Sequence, residues 1–239
     1  MTYMFIFAHP DDETVACSAT IKQLIDAGEK VILVTATDGS AGEVMEQAQK
    51  RLKEFGSVAA LRRKELKEVA QLLNVTELHI LDFKDGEINN KQVWTELKTA
   101  FIELMNQYKP DAVITFDHSG WYFHLDHVGV SIAATLAFQE AEHKADALLH
   151  TFIQIKSEDQ KWKYIFPETL PITHLVSANH LREFKLKVLA AHASQNIEVI
   201  SQKVHDEVDH QEIYQLVLSS EKGKQLFENH SLFKLTAKM

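Results

Sequence analysis

Short apolar runs alternate with longer amphipathic stretches along this chain, and few folds accept that pattern. Met4–Ala8 and Val31–Ala36 read as buried strands, the second rich in β-branched residues. Leu78–Leu81 and Ala112–Phe116 follow as a third and a fourth. Between the first two, Thr14–Ala27 sets Val15, Ile21, Leu24 and Ile25 at helical spacing and ends at Gly28, a natural helix stop. Further helices are expected from about Gln47 to Leu73 with a break at Gly56, over Lys91–Tyr108 before Pro110, and over His127–Glu142. Phe152–Ile155 and Thr173–Val176 are later strand candidates, His180–Ser194 a later helix, and the remainder is mixed. Strand–helix alternation predicts the α/β class, a mostly parallel sheet with helices on both faces. One domain over residues 1–239 is expected, its core at about 4–195 and its C-terminal remainder packed on or extending that core.

Charge and composition exclude several functions. Lys and Arg total 25 against 34 Asp and Glu, a net charge of −9, which argues against a nucleic-acid or anionic-membrane binder. No apolar run reaches the roughly 18 residues that a transmembrane helix needs. The apolar start has no basic flank and no small-residue cleavage site, so it reads as a strand and not as a signal peptide. The single cysteine, Cys17, rules out an intramolecular disulfide and suits a reducing cytoplasm. Thirteen histidines invite a search for a metal site.

In open parallel sheets, ligands bind outside the carboxyl ends of the strands. Those ends fall after Ala8, Ala36, Leu81 and Phe116, and each is followed by polar residues. After the first come His9-Pro10-Asp11-Asp12-Glu13. Two acids and a proline alone would suit a helix N-terminus; the histidine at the strand end tips the reading toward a site. The second cluster, Tyr122-Phe123-His124-Leu125-Asp126-His127, again follows a strand and opens a helix. Together His9, Asp12 and His127 make a two-His, one-carboxylate set that suits Zn²⁺ and leaves coordination positions for water and substrate. Water bound there has its pKa lowered toward about 7. Asp11 is placed to act as general base and His124 as proton donor or oxyanion stabiliser, with Asp126 holding His124 charged and Tyr122 offering a phenol. His118, in the same loop, reads more readily as a polar loop residue than as an alternative ligand.

The segments AHPDDE at 8–13 and HLDH at 124–127 resemble the PIG-L/LmbE-like family of metal-dependent N-deacetylases. Thr37-Asp38-Gly39, the Arg62/Glu65 pair, Phe83-Lys84-Asp85-Gly86 and His192-Ala193-Ser194-Gln195 are similar to further family elements, in order, from residue 4 to about 195. The resemblance implies a Rossmann-like fold, zinc on His9, Asp12 and His127, Asp11 as base and His124 as acid. It implies a hydrolase that removes an N-acetyl group from an N-acetylglucosamine-type conjugate by attack of metal-bound water on the amide. Arg62 and Asp85 are then expected to touch the substrate. The partner is a small amino-sugar conjugate; another divalent metal and a homo-oligomer remain open. Phe123 and Leu125 stand where the family has Gly and Pro, and Cys17-Ser18-Ala19 where it has a glycine-rich segment. Competing readings are an amidase for a different N-acyl group, an Fe(II)-dependent oxygenase, and a non-catalytic nucleotide-binding module. The oxygenase usually needs a β-barrel, and the nucleotide module lacks G-x-G-x-x-G.

Overall fold

A computed structural model describes residues 1–153 and 172–236. Its centre is an eight-stranded sheet in the order β3-β2-β1-β4-β5-β7-β6-β8. The strands β1 (Thr2–Phe7), β2 (Lys30–Thr37), β3 (Glu77–Phe83), β4 (Ala112–Phe116) and β5 (Ala147–Phe152) pair in parallel. β6 (His174–Ser177), β7 (Gln211–Ser219) and β8 (Lys234–Leu235) join antiparallel.

β1, β4 and β5 are buried almost throughout, and so is β2 after Lys30, as expected of parallel strands covered on both faces. β3, on the edge, is half-exposed. The helices fall into two packed groups. One holds α1 (Asp12–Asp26), α3 (Val58–Leu73) and α7 (Arg182–Ala191) in mutual contact. In the other, α4 (Lys91–Tyr108) packs on α6 (Leu125–Glu140). The amphipathic stretch after Gln47 breaks at Gly56, whose φ of 77° stops α2 (Gln49–Phe55). Ser57 then caps α3 by accepting from Ala60 N at 3.1 Å. Short α5 (Gly120–Phe123), α8 (Glu198–Asp206) and α9 (Glu221–Glu228) complete the helices used below.

Two strand expectations shift. The strand expected at Phe152–Ile155 ends at Phe152 after starting at Ala147; residues 154 and 155 lie outside the described residues. The strand expected at Thr173–Val176 is β6. No helix among the described residues is long and apolar enough to cross a membrane.

After β1 the chain winds outward through β2 and β3, then returns to lay β4 on the other side of β1. That reversal leaves a crevice at the carboxyl ends of β1 and β4. His9 follows β1 and the 117–127 segment follows β4, so both histidine clusters meet there.

Candidate metal centre and active site

His9 is 7% exposed and sits between two sets of partners. Its Nδ1 lies 3.1 Å from His127 Nε2 and 3.6 Å from Asp12 Oδ2, and the other Asp12 oxygen lies 3.3 Å from His127 Nε2. Asp12 is also fixed by the His9 backbone N–H, which donates to its Oδ2 at 2.8 Å. On the far edge of the ring, His9 Nε2 lies 2.9 Å from Asp85 Oδ1 and 3.2 Å from Asp126 Oδ2. Two carboxylates on Nε2 hold a proton there, so Nδ1, facing Asp12 and His127, is the nitrogen that gives up its proton to a cation.

This donor set fits a divalent ion. Atoms bound at 2.0–2.2 Å from a tetrahedral centre stand about 3.3–3.6 Å apart, close to the separations above. The electrostatics agree. Burial opposes protonation of His9, but hydrogen bonds to Asp126 and Asp85 and the charge of Asp12 raise its pKa to about 10. Burial lifts Asp12 to about 8, against the pull of His9. Carboxylates crowded on one ring thus favour a positive charge at the centre. His127 is stacked on Phe116 at 4.2 Å, and burial followed by the charge of His9 holds its pKa well below 6.5, leaving the neutral ring that ligation needs. A second set, His9, His124 and His127, also brings one nitrogen from each ring within 4.8 Å. The His124 ring lies 4.8 Å from His9 and 4.6 Å from His127, and its Nδ1 is buried with no hydrogen-bond partner among the described residues.

Asp11 caps α1 with φ 119°, a left-handed backbone that costs a non-glycine residue about 1–3 kcal/mol. Arg62 holds it there. The Arg62 Nη2 donates to Asp11 Oδ2 at 2.9 Å and to Pro10 O, while Nη1 donates to Gly39 O at 2.9 Å. Gly39 must be a glycine at this contact: a Cβ there would stand 2.3 Å from the guanidinium.

Several expected roles fall elsewhere. Arg62, expected on the substrate, is 4% exposed and directs its donors to the protein itself. Asp85, expected on the substrate, ties His9 Nε2 to Ala41 N, and His9 draws its pKa down to about 2 despite burial. The charge of Asp126 does pull the His124 pKa up, as expected, but it is outweighed. Asp126 points back from the first turn of α6, taking Gly86 N at 2.7 Å and Ile88 N at 3.0 Å besides His9, and burial with the charge of His9 lowers the His124 pKa. Tyr122 is 40% exposed, its ring 6.0 Å from His124 and 5.5 Å from His127. With Phe123 and Leu125 it forms an apolar rim. His118 donates or accepts at Ser131 Oγ, 2.9 Å away.

Sequence reasoning assigned no work to Glu13, Glu65, His192 or Ser194. Buried Glu65 accepts from Ser194 N at 3.0 Å and Ser194 Oγ at 2.5 Å, pinning the turn after α7 to α3. Buried Glu13 lies 2.9 Å from His192 Nε2 and accepts from Asp11 N at 3.1 Å. The only signal was the pairing of the Arg62/Glu65 and His192–Gln195 elements in one resemblance.

Residues 4–138 match the PIG-L family, described as GlcNAc-PI de-N-acetylase. The 1D-myo-inositol 2-acetamido-2-deoxy-alpha-D-glucopyranoside deacetylase of Kineococcus radiotolerans is 29% identical over 158 residues, 56% of this chain and 44% of that protein. The chain spans about half the length of the curated relatives it matches in this way. In structure it resembles N,N'-diacetylchitobiose deacetylase from Pyrococcus horikoshii, with TM-score 0.68 and 24% identity over 90% of this chain and 83% of that one. It also resembles 4-carboxy-2-hydroxymuconate hydratase from Pseudomonas putida KT2440, with TM-score 0.67 and 15% identity over 92% and 97%. The second likeness shows why fold alone does not choose the reaction.

Proposed function

The chain belongs to the PIG-L family, and from that premise we propose that it is a divalent-metal-dependent hydrolase, removing the N-acetyl group of an N-acetylglucosamine-type conjugate. The observation that carries this reading is the convergence of His9 Nδ1, His127 Nε2 and the Asp12 carboxylate within 3.1–3.6 Å, with the Asp11 carboxylate beside them. His9, Asp12 and His127 would hold the ion, Zn²⁺ by donor type. Such an ion supplies Lewis acidity and lowers the pKa of water, giving a nucleophile near neutral pH.

The chain's own groups do the rest. Asp85 and Asp126 keep the His9 proton on Nε2 and so keep Nδ1 free to ligate. Asp11, 23% exposed at its side chain, takes a proton from the attacking water. The water oxygen bonds to the acyl carbon, and the C–N bond then breaks. The proton held by Asp11 passes to the departing nitrogen, giving the free amine and acetic acid, which then ionises to acetate in water. His124 is neutral and can turn one N–H toward the oxyanion. Tyr122, at the rim, offers its phenol from the same side.

Curated relatives named for an N-acetylglucosamine–inositol substrate support the amino-sugar class. The 1–239 chain would act as one catalytic unit, because β6, β7 and β8 extend the same sheet as the site-bearing strands. Buried Cys17 suits a cytoplasmic setting. The test is acetate release from a panel of N-acetylglucosamine conjugates, with metal analysis on the same sample. Loss with a chelator and return with Zn²⁺ are expected. Protein that carries no divalent ion, and that none activates, overturns the reading.

A further inference from the structure

Asp11 carries the reaction's proton transfer in the reading above, yet its backbone sits at φ 119°. A single residue stays in such a region only where its surroundings over-determine it. Arg62 supplies one restraint, on the Asp11 side chain and on Pro10 O. The other restraint reaches the Asp11 backbone from the far end of the chain. Asp11 N donates to Glu13 Oε2 at 3.1 Å. The other Glu13 oxygen takes Thr14 Oγ1 at 2.6 Å and faces His192 Nε2 at 2.9 Å. Glu13 and His192 are both fully buried.

We propose that His192 is a positioning residue for the reaction: by donating from Nε2 to Glu13 it keeps that carboxylate turned onto Asp11 N–H, and so keeps Asp11 in its left-handed, proton-accepting pose. The inference rests on the reading of Asp11 as base. A buried carboxylate without a strong donor either takes a proton or swings toward another partner. Without His192, Glu13 keeps only the Thr14 hydroxyl and Asp11 N. The orientation that serves Asp11 is then one of several, and the strained turn can relax. Among the described residues, His192 alone hydrogen-bonds the Glu13 side chain from beyond the 11–14 turn. The His192 turn is itself rigid, since the next residue but one, Ser194, is bound twice to Glu65.

Two substitutions separate donor chemistry from bulk. His192→Gln keeps an N–H donor at about the reach of Nε2, whereas His192→Leu fills similar space with none. With an N-acetylglucosamine conjugate that the parent hydrolyses, H192L should lower kcat about 10- to 100-fold, with KM within about threefold and metal content unchanged. H192Q should return kcat to within about fivefold of the parent. Glu13→Gln is the second route, should H192L not fold. His192 and Asp11 N face different Glu13 oxygens, and glutamine offers an acceptor at only one of those two places, so kcat falls again while the metal stays. Crystal structures of the parent, H192L and H192Q give a readout independent of substrate: Asp11 should leave positive φ in H192L only. Equal kcat in H192L and the parent, equal losses in H192L and H192Q, or Asp11 unmoved in H192L would each overturn the proposal. Failure of the deacetylase reading is distinct: there Asp11→Asn leaves turnover intact, or the parent releases no acetate from any conjugate, and the crystallographic comparison still decides the role of His192.

Discussion

Replacing Arg62 with leucine separates two roles for that side chain. As a substrate ligand it would be dispensable for folding, and its loss would raise KM. As placed, it is an internal clamp. Its guanidinium serves Gly39 O, Pro10 O and Asp11 Oδ2 from a site 4% exposed. Leucine leaves both carbonyls without their donor, at about 1–3 kcal/mol each. The pair with Asp11 adds under about 1 kcal/mol, because that carboxylate is 23% exposed and screened by water. Some apolar contact is regained, so a net loss of about 3–5 kcal/mol is expected. In a chain of this size that lowers Tm by roughly 10 °C. The catalytic consequence follows from Asp11: kcat should fall about 100-fold with KM within about threefold. Urea denaturation, thermal melting and steady-state kinetics on one preparation test this. A tenfold rise in KM with Tm unchanged would refute the clamp and return Arg62 to the substrate.

Other outcomes follow from the same geometry. Asp11→Asn should keep its metal and lose about 10²- to 10⁴-fold in turnover; undiminished acetate release would remove Asp11 from proton transfer. Lys185 and Glu212 form a buried ion pair at 2.6 Å, and Glu212 also accepts from Ala19 N and Thr20 N, so Lys185→Met should cost about 3–5 kcal/mol by stranding the carboxylate, with Lys185→Met/Glu212→Gln recovering part; equal urea midpoints for parent and single mutant would contradict this. Burial, and then the charge of His118, hold the His150 pKa down to about 3, whereas the unfolded ring titrates near 6.5. The unfolded chain therefore binds a proton that the folded chain refuses between those values, and stability from this group falls about 1.4 kcal/mol per pH unit as pH drops from 6.5 toward 3. Urea midpoints of His150→Leu should fall less steeply over that range, and identical slopes would discount the group.

Much of the site was legible because two signals coincide at the β1–α1 junction. A buried apolar run ends at Ala8, and the next residues are a histidine and acids that open a helix. The HLDH segment repeats that arrangement after β4, and strand–helix alternation places both at one crevice. Partner choice was not legible. Whether Asp126 faces His124 or His9 depends on the 84–88 turn, whose Gly86 and Ile88 amides claim its oxygens. Arg62 reads as a substrate-facing charge in the sequence because its acceptors, Pro10 O and Gly39 O, lie on loops far from it along the chain. The antiparallel extension was also hidden. Gln211–Ser219 mixes polar and apolar residues, and its pairing with β5 and β6 is a tertiary fact. Ala147–Phe152 begins with Ala-Leu-Leu, which suits helix as well as strand, so the sequence pattern marks the fifth strand only from Phe152.

One ion held by side chains from both clusters underlies every catalytic step described above. Anomalous diffraction from crystals grown with Zn²⁺ measures this directly. The expected result is a peak about 2.0–2.2 Å from His9 Nδ1, His127 Nε2 and an Asp12 oxygen. A peak on the other edge of His9, between Nε2, Asp85 and Asp126, or no peak at all in catalytically active protein, would contradict it.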